Sequence, residues 1–174
     1  MGLVSSNCAA LIYRTLLSEN WGVDITALSL VVGMALFSFS GSPPANLGVS
    51  GSELAPCPSS PNCVSSDAVD DAHKTPALRP AVTPSEAWEA AGQAVKALPR
   101  TRIVKKTEDY LHAECRSALF GFVDDLELHL RPAEGVIAVR SASRLGYWDF
   151  GVNRRRVDAL RAVLVEQGKM GRSP

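Results

Sequence analysis

The interval from Tyr110 to Leu130 alternates between apolar and polar residues. Leu111, Ala113 and Cys115 fall on one phase, with Tyr110, His112 and Glu114 on the other. From Phe122 onward, Leu126, Leu128 and Leu130 point one way, and Asp125, Glu127 and His129 the other. Period two is the signature of strands with one buried face. A short strand over 102–107 precedes them, and Val136 to Ser141 follows the turn Arg131-Pro-Ala-Glu-Gly135 as a fourth strand. The flanks carry period 3.6 instead. Thr83-Pro-Ser-Glu86 is a capping-box pattern with proline at the first helical position, and Trp88, Ala91, Val95 and Leu98 recur at helical spacing until Pro99. Asn153 offers a cap to a closing helix whose Val157, Leu160 and Leu164 share one face, ending near Gly168. Helix, four sequential strands and helix predict an α+β domain. The expected sheet is an antiparallel four-stranded meander flanked by an N-terminal and a C-terminal helix packed on one face.

Ahead of this domain the pattern changes. Ile25 to Phe39 contains no charge. It is short for a spanning helix, which wants about twenty residues, and suits a signal-peptide core. The chain therefore divides into a leader at 1–24, a hydrophobic signal or membrane anchor at 25–42 and a flexible linker at 43–56. A single α+β domain at 57–167 and a disordered tail at 168–174 follow. The Pro-rich interval 57–84 is expected to be irregular and to wrap the domain.

Formal charge sums to zero over 174 residues. The basic footprint of a nucleic-acid binder is missing, so no nucleic-acid partner is expected. Cys57 and Cys63 flank a proline-stiffened loop that favours a short disulfide, with metal binding the alternative. Cys115 lies on the apolar phase of its strand and reads as a buried thiol.

Candidate chemistry concentrates at Ser141–Arg156, where arginines, serines, aspartate and glycines meet Trp148 and Phe150. Two readings compete. In the first, Arg144 and Arg154 flank a loop running through Gly151 into a helix N-terminus, where backbone amides and guanidinium forks would hold an anion. In the second, Asp124, Asp125 and Asp149 neutralise Arg140, Arg144 and Arg154 in an internal ion-pair network, with Ser143 and Asn153 beside it. Arg155 and Arg156 read as solvated helix residues. Asp124 and Asp125 project to opposite faces of a strand, which argues against an acid–base pair. On the open face, His112 and Asp125 are expected as cross-strand neighbours, continued by Glu127 and His129. That row is a weak divalent-metal candidate and more simply the wet side of the sheet. No Gly-x-Ser-x-Gly elbow or other catalytic motif is present, and no cofactor is implied. Tyr147 and Trp148 read as a ligand platform or as anchors of their loop, the latter favoured.

Several blocks together carry a resemblance: Cys57-Pro-x-x-Pro-Asn-Cys63, Arg100-Thr-x-Ile-Val104, Tyr110-x-His-Ala-Glu114, Phe120-x-Phe-x-Asp-Asp125, Ser141-Ala-Ser-Arg144 and Asp149-Phe-Gly-x-Asn-Arg154. Over about residues 54 to 165 the chain resembles the family filed as domain of unknown function 1499, found in bacterial lipoproteins, membrane-linked proteins and plastid-bearing eukaryotes. That resemblance implies an extracytoplasmic or membrane-associated domain with no assigned activity. Lipoprotein members close the hydrophobic run with a cysteine, and Leu36 to Gly41 has none. The expected function is a binding or structural role at the cell envelope. The membrane is one partner through the N-terminal segment, and an unidentified ligand or protein the other. An anionic ligand at the Arg-rich loop is the leading candidate. The alternative is a hydrolase-like enzyme using Asp124, Asp125, Ser143 and Arg144.

Overall fold

A computed structural model describes residues 41–118 and 121–172. The leader and the apolar run Ile25–Phe39 lie outside the described residues. In chain order the elements are β1 (Val49–Ser50), β2 (Glu53–Leu54), β3 (Cys63–Ser65), α1 (Pro84–Ala97), β4 (Thr101–Lys106), β5 (Tyr110–Arg116), β6 (Val123–Arg131), β7 (Val136–Ser143) and α2 (Val152–Glu166). The fold is α+β, with β4 to β7 following one another as expected. However, the main sheet has five antiparallel strands in the order β3-β7-β6-β5-β4. The fifth is β3, inside the interval expected to be irregular. Its three residues are too short to show periodicity, and neighbouring prolines mask it.

The alternating phases sort as their chemistry requires. Leu111, Ala113, Leu126, Leu128, Ile137 and Val139 face the helices. They pack with Trp88, Ala91 and Val95 of α1 and Val157, Leu160 and Leu164 of α2 in one core. Each of the leucines, valines and the isoleucine contributes roughly 1.5–3 kcal/mol on burial. Trp88 satisfies its polar edge by donating its indole N–H to the Thr107 carbonyl at 3.1 Å. The β6–β7 turn is a single 3-10 turn, Pro132–Glu134, closed by Gly135 at φ 65°, a left-handed conformation costly for residues with a Cβ. Thr83 caps α1 by accepting from the Glu86 amide at 3.3 Å, while the Glu86 carboxylate turns to Lys169.

Two boundary expectations are corrected. Residues 49–54 of the supposed linker form the β1–β2 hairpin, and Leu54 is buried against Tyr110 and Ala138 on the second face of the sheet. Residues 168–172 are not a disordered tail: Met170 joins the core, and its segment exchanges backbone bonds with Arg79 to Ala81. Apolar contact from Leu54 and Met170 ties down segments that composition marks as loose. No helix among the described residues is long and apolar enough to cross a membrane.

Cys57 and Cys63 are joined in a disulfide. The bridge holds Asn62 where its carbonyl accepts from the Ser143 amide at 3.0 Å and from the Asn153 side chain at 3.0 Å. The loop carrying the bridge thereby fixes β3 against both β7 and the start of α2.

Candidate functional site

Both faces of the sheet carry polar clusters at the end where β5, β6 and β7 approach α2. On the helix side, Asp124 receives Arg156 Nη2 at 2.6 Å. Arg156 Nη1 reaches Ser141 Oγ and Asn153 Oδ1. Asn153 is wholly buried and is the hub: its Nδ2 donates to the Asn62 carbonyl, Ser143 Oγ and Asp149 Oδ2. Asp149 in turn accepts from the backbone amides of Gly151 and Asn153, each at 2.9 Å. Those amides are orphan donors at a helix start, so Asp149 does the capping. Asn153, expected as the cap, lies inside the first turn with its side chain turned to the core.

On the opposite face, Arg144 Nε and Nη2 grip both oxygens of Asp125 at 2.9 and 2.7 Å, and Nη2 also reaches Glu114 at 2.8 Å. The Arg144 side chain is 3% exposed and that of Asp125 1%. His112 Nε2 donates to Asp125 Oδ1 at 2.7 Å. Beside them Glu127 accepts from Arg140 Nη1, Tyr110 Oη and the Gly48 amide, at 2.8, 2.8 and 2.7 Å. This face is therefore buried, not wet. The Gly48–Leu54 segment and Tyr110 contribute to its cover, and each buried charge has a partner as burial demands.

The register also differs from expectation by two residues. His112 stands opposite Glu127, Glu114 opposite Asp125 and Tyr110 opposite His129. The β5–β6 connection runs from Ser117 to Phe122, longer than a two-residue turn, and every cross-strand partner shifts with it. His112 reaches Asp125 diagonally. The four weak metal candidates do not converge on a common point. Asp125 is held by Arg144, Glu127 by Arg140, and His129 Nδ1 accepts from Arg131 Nε at 3.1 Å. Among the described residues no group of three or more His, Cys, Asp or Glu is placed to hold a metal ion.

The pairings within the expected ion network are likewise rearranged. Arg140 meets Glu127, Arg144 meets Asp125 and Glu114, and Asp124 meets Arg156. Arg154 pairs with no carboxylate among the described residues and donates to the Lys74 and Ala72 carbonyls. Arg144 and Arg154 do not share a ligand site, because Arg144 is spent on the sheet. Arg156 is the residue sequence reading missed. Its spacing of three from Asn153 and four from Leu160 puts it on the buried face of α2.

These contacts set the pH response. Burial alone would raise the Asp125 carboxyl, but the Arg144 and His112 hydrogen bonds more than offset it and hold the group below its ordinary 3.8. Glu114 is likewise held below 4.5, with the Arg144 and Arg102 bonds outweighing burial. His129 is lowered from 6.5, chiefly by burial and then by the Arg131 charge. Burial, then Glu127, pushes Tyr110 above its ordinary 10.0. In the first three cases the unfolded chain binds more protons, so stability is lost as the pH falls: from 6.5 downward for His129, then through the carboxylate range. Tyr110 works in the other direction, and its contribution is lost as the pH rises past 10.0. Urea midpoints measured against pH are expected to form a plateau between these limits and fall on both sides. A midpoint that climbs on acidification below 6.5 contradicts this balance.

With the buried charges occupied, accessible chemistry lies on the loop between β7 and α2. Tyr147 is 60% exposed, Trp148 65% and Phe150 86%. Tyr147 and Trp148 touch edge to face at 5.4 Å but do not anchor the loop, contrary to the favoured expectation. Anchoring comes from Asp149 and from Asn62 Nδ2, which donates to the Gly146 carbonyl. Phe150 is held at φ 52°, a left-handed conformation that a residue with a Cβ adopts at a cost. Behind the aromatic rings is a groove of about 320 Å³ walled by Pro61, Val64, Trp148, Phe150 and Gly151, with Arg154 at its edge. Asp149 also borders it, its carboxylate bonded to three N–H groups of the loop and helix start.

Comparison with known proteins gives one match. A family model described as "Protein of unknown function (DUF1499)" covers residues 53–164. No curated protein and no solved structure matches the chain.

Proposed function

The chain belongs to the DUF1499 family of proteins of unknown function, and from that premise we propose that it is a recognition module of the cell envelope. In this reading the apolar run Ile25–Phe39 holds the domain at the membrane or directs its export, and the domain works on the extracytoplasmic side. Its disulfide supports that placement, because such bonds persist in oxidising compartments. The ligand is an anion with an apolar body, taken by the groove between Trp148 and Phe150 with its acidic head at Arg154.

One observation carries this reading: an aromatic pair held outward by a capped loop, beside a groove with a guanidinium at its edge. Exposed aromatics on a fixed backbone supply contact area at low entropic cost, and the Arg154 fork matches a carboxylate or phosphate head. Two N–H bonds to carbonyls hold that guanidinium in place and leave other donors for a ligand. No observation favours the hydrolase alternative. Asp124 and Asp125 lie on opposite faces, each bonded to an arginine, and the Ser143 hydroxyl meets the Asn153 amide, which takes no proton.

Octyl phosphate, titrated into the full chain against inorganic phosphate and octyl glucoside as controls, is the test. The expected result is a rise in melting temperature with octyl phosphate that exceeds either control and is lost in both Arg154→Ala and Trp148→Ala. A rise that survives both substitutions, or no rise at all, overturns the assignment.

A further inference from the structure

At the other side of α2 the surface is strongly cationic. Two adjoining clefts of about 360 and 460 Å³ share Arg100, Thr101, Arg116 and Ser117 as walls. Arg155 and Arg156 border the first, Arg102 and Glu114 the second. Carboxylates do not balance these guanidinium groups. Arg156 is spent on Asp124. Glu114 already serves Arg144 and takes Arg102 at 3.0 Å, leaving Arg116 at 4.0 Å. Arg100 and Arg155 have no carboxylate partner among the described residues; they donate to the carbonyls of Arg116 and Phe150. Like charges gathered around a concavity repel one another, and folding alone gives no reason to collect them.

The backbone adds an independent observation. Arg100 sits at φ 52° in the turn between α1 and β4, a position where glycine or asparagine is the ordinary residue. Its side chain is exposed, bonded only to the Arg116 carbonyl. An arginine held under strain on an open surface points to a use for its guanidinium.

We propose that the first of these clefts is a second ligand site, which takes a multiply charged oxyanion, a phosphate or sulfate group, between Arg100, Arg116 and Arg155. Arginines from three elements (the α1–β4 turn, the end of β5, and α2) line this one cleft, and planar guanidinium forks match the tetrahedral oxygens of such a group. The same group is carried by anionic lipid heads and by soluble phosphates, and the walls recognise it in either form. This site is separate from the Trp148–Arg154 groove and stands or falls without it.

The test uses the full chain in nanodiscs, with inorganic pyrophosphate added at constant ionic strength so that screening does not change. In phosphatidylcholine discs, pyrophosphate is expected to raise the melting temperature. Arg116→Ala and Arg100→Gly are each expected to remove that rise, while Arg154→Ala keeps it. Arg100→Gly is also expected to melt higher than the parent without anion, because glycine relieves the left-handed backbone, so loss of response there is not loss of folding. Discs containing phosphatidic acid separate the two sources. A pyrophosphate response abolished in those discs identifies a lipid head as the occupant, and an unchanged one identifies a soluble phosphate. No response in either disc, or a response untouched by both Arg100→Gly and Arg116→Ala, overturns the proposal.

Discussion

Replacing Arg144 with Ala is expected to cost the domain about 3–5 kcal/mol, the penalty for leaving buried charge without its partner. The guanidinium is 3% exposed, grips both oxygens of Asp125 and extends to Glu114. Its removal leaves buried Asp125 with His112 and Glu114 with the exposed Arg102, while burial on its own pushes both carboxylates toward protonation. Small domains are stable by only about 5–15 kcal/mol, so the loss is roughly a fifth or more of the total. Arg144→Lys is expected to recover only part of it, because a single ammonium does not reproduce the two parallel N–H bonds of the fork. Urea denaturation at neutral pH checks both variants. A midpoint within experimental error of the parent for Arg144→Ala would mean that the buried pair carries no stability.

The second large effect distinguishes two neighbours in sequence. Arg156→Ala is expected to destabilise by about 3 kcal/mol or more, since it leaves Asp124 buried and unpaired and removes donors to Ser141 and Asn153. Arg155→Ala is expected to cost less than about 0.5 kcal/mol, because that side chain is exposed and bonds only a backbone carbonyl. In thermal melts Arg156→Ala should lose roughly 10 °C while Arg155→Ala stays close to the parent. Equal losses in the two variants contradict the placement of Arg156 beneath the sheet end.

The strands β5, β6 and β7 and both helices were legible because each buries a complete apolar phase, and that periodicity is written directly in the residues. Three things were not. β3 owes its place to the ladder with β7, which is long-range and invisible to a three-residue window. Residues His112, Glu114, Asp125 and Glu127 follow the polar phase that ordinarily faces water. Burial of that face depends on the Gly48–Leu54 segment folding back, with the Gly48 amide on Glu127 and Leu54 against Tyr110. A Gly- and Ser-rich composition suggests a tether and carries no sign of it. Finally, the partners of the arginines depend on register, and the length of the β5–β6 turn displaced that register by two.

Part of the site was readable all the same. Asn153, Arg156, Leu160 and Leu164 follow one helical stripe, so Arg156 belonged with the core from spacing alone. Asp149, two residues before Gly151 and four before Asn153, has the separation of a residue that folds back on the amides of a helix start. Local geometry of this kind can be read from a sequence, whereas the choice between Glu127 and Asp125 as partner for a given arginine cannot.

The account rests on opposite charges neutralising each other inside the fold, which leaves recognition to the exposed loop and cleft. A double-mutant cycle on Asp125→Asn and Arg144→Met measures this directly, with unfolding free energies of the parent, both single variants and the double variant. The predicted result is a coupling of about 2 kcal/mol or more, with the double variant more stable than the two separate losses imply. Losses that add to within about 0.5 kcal/mol would show the two groups to be independent and would contradict the account.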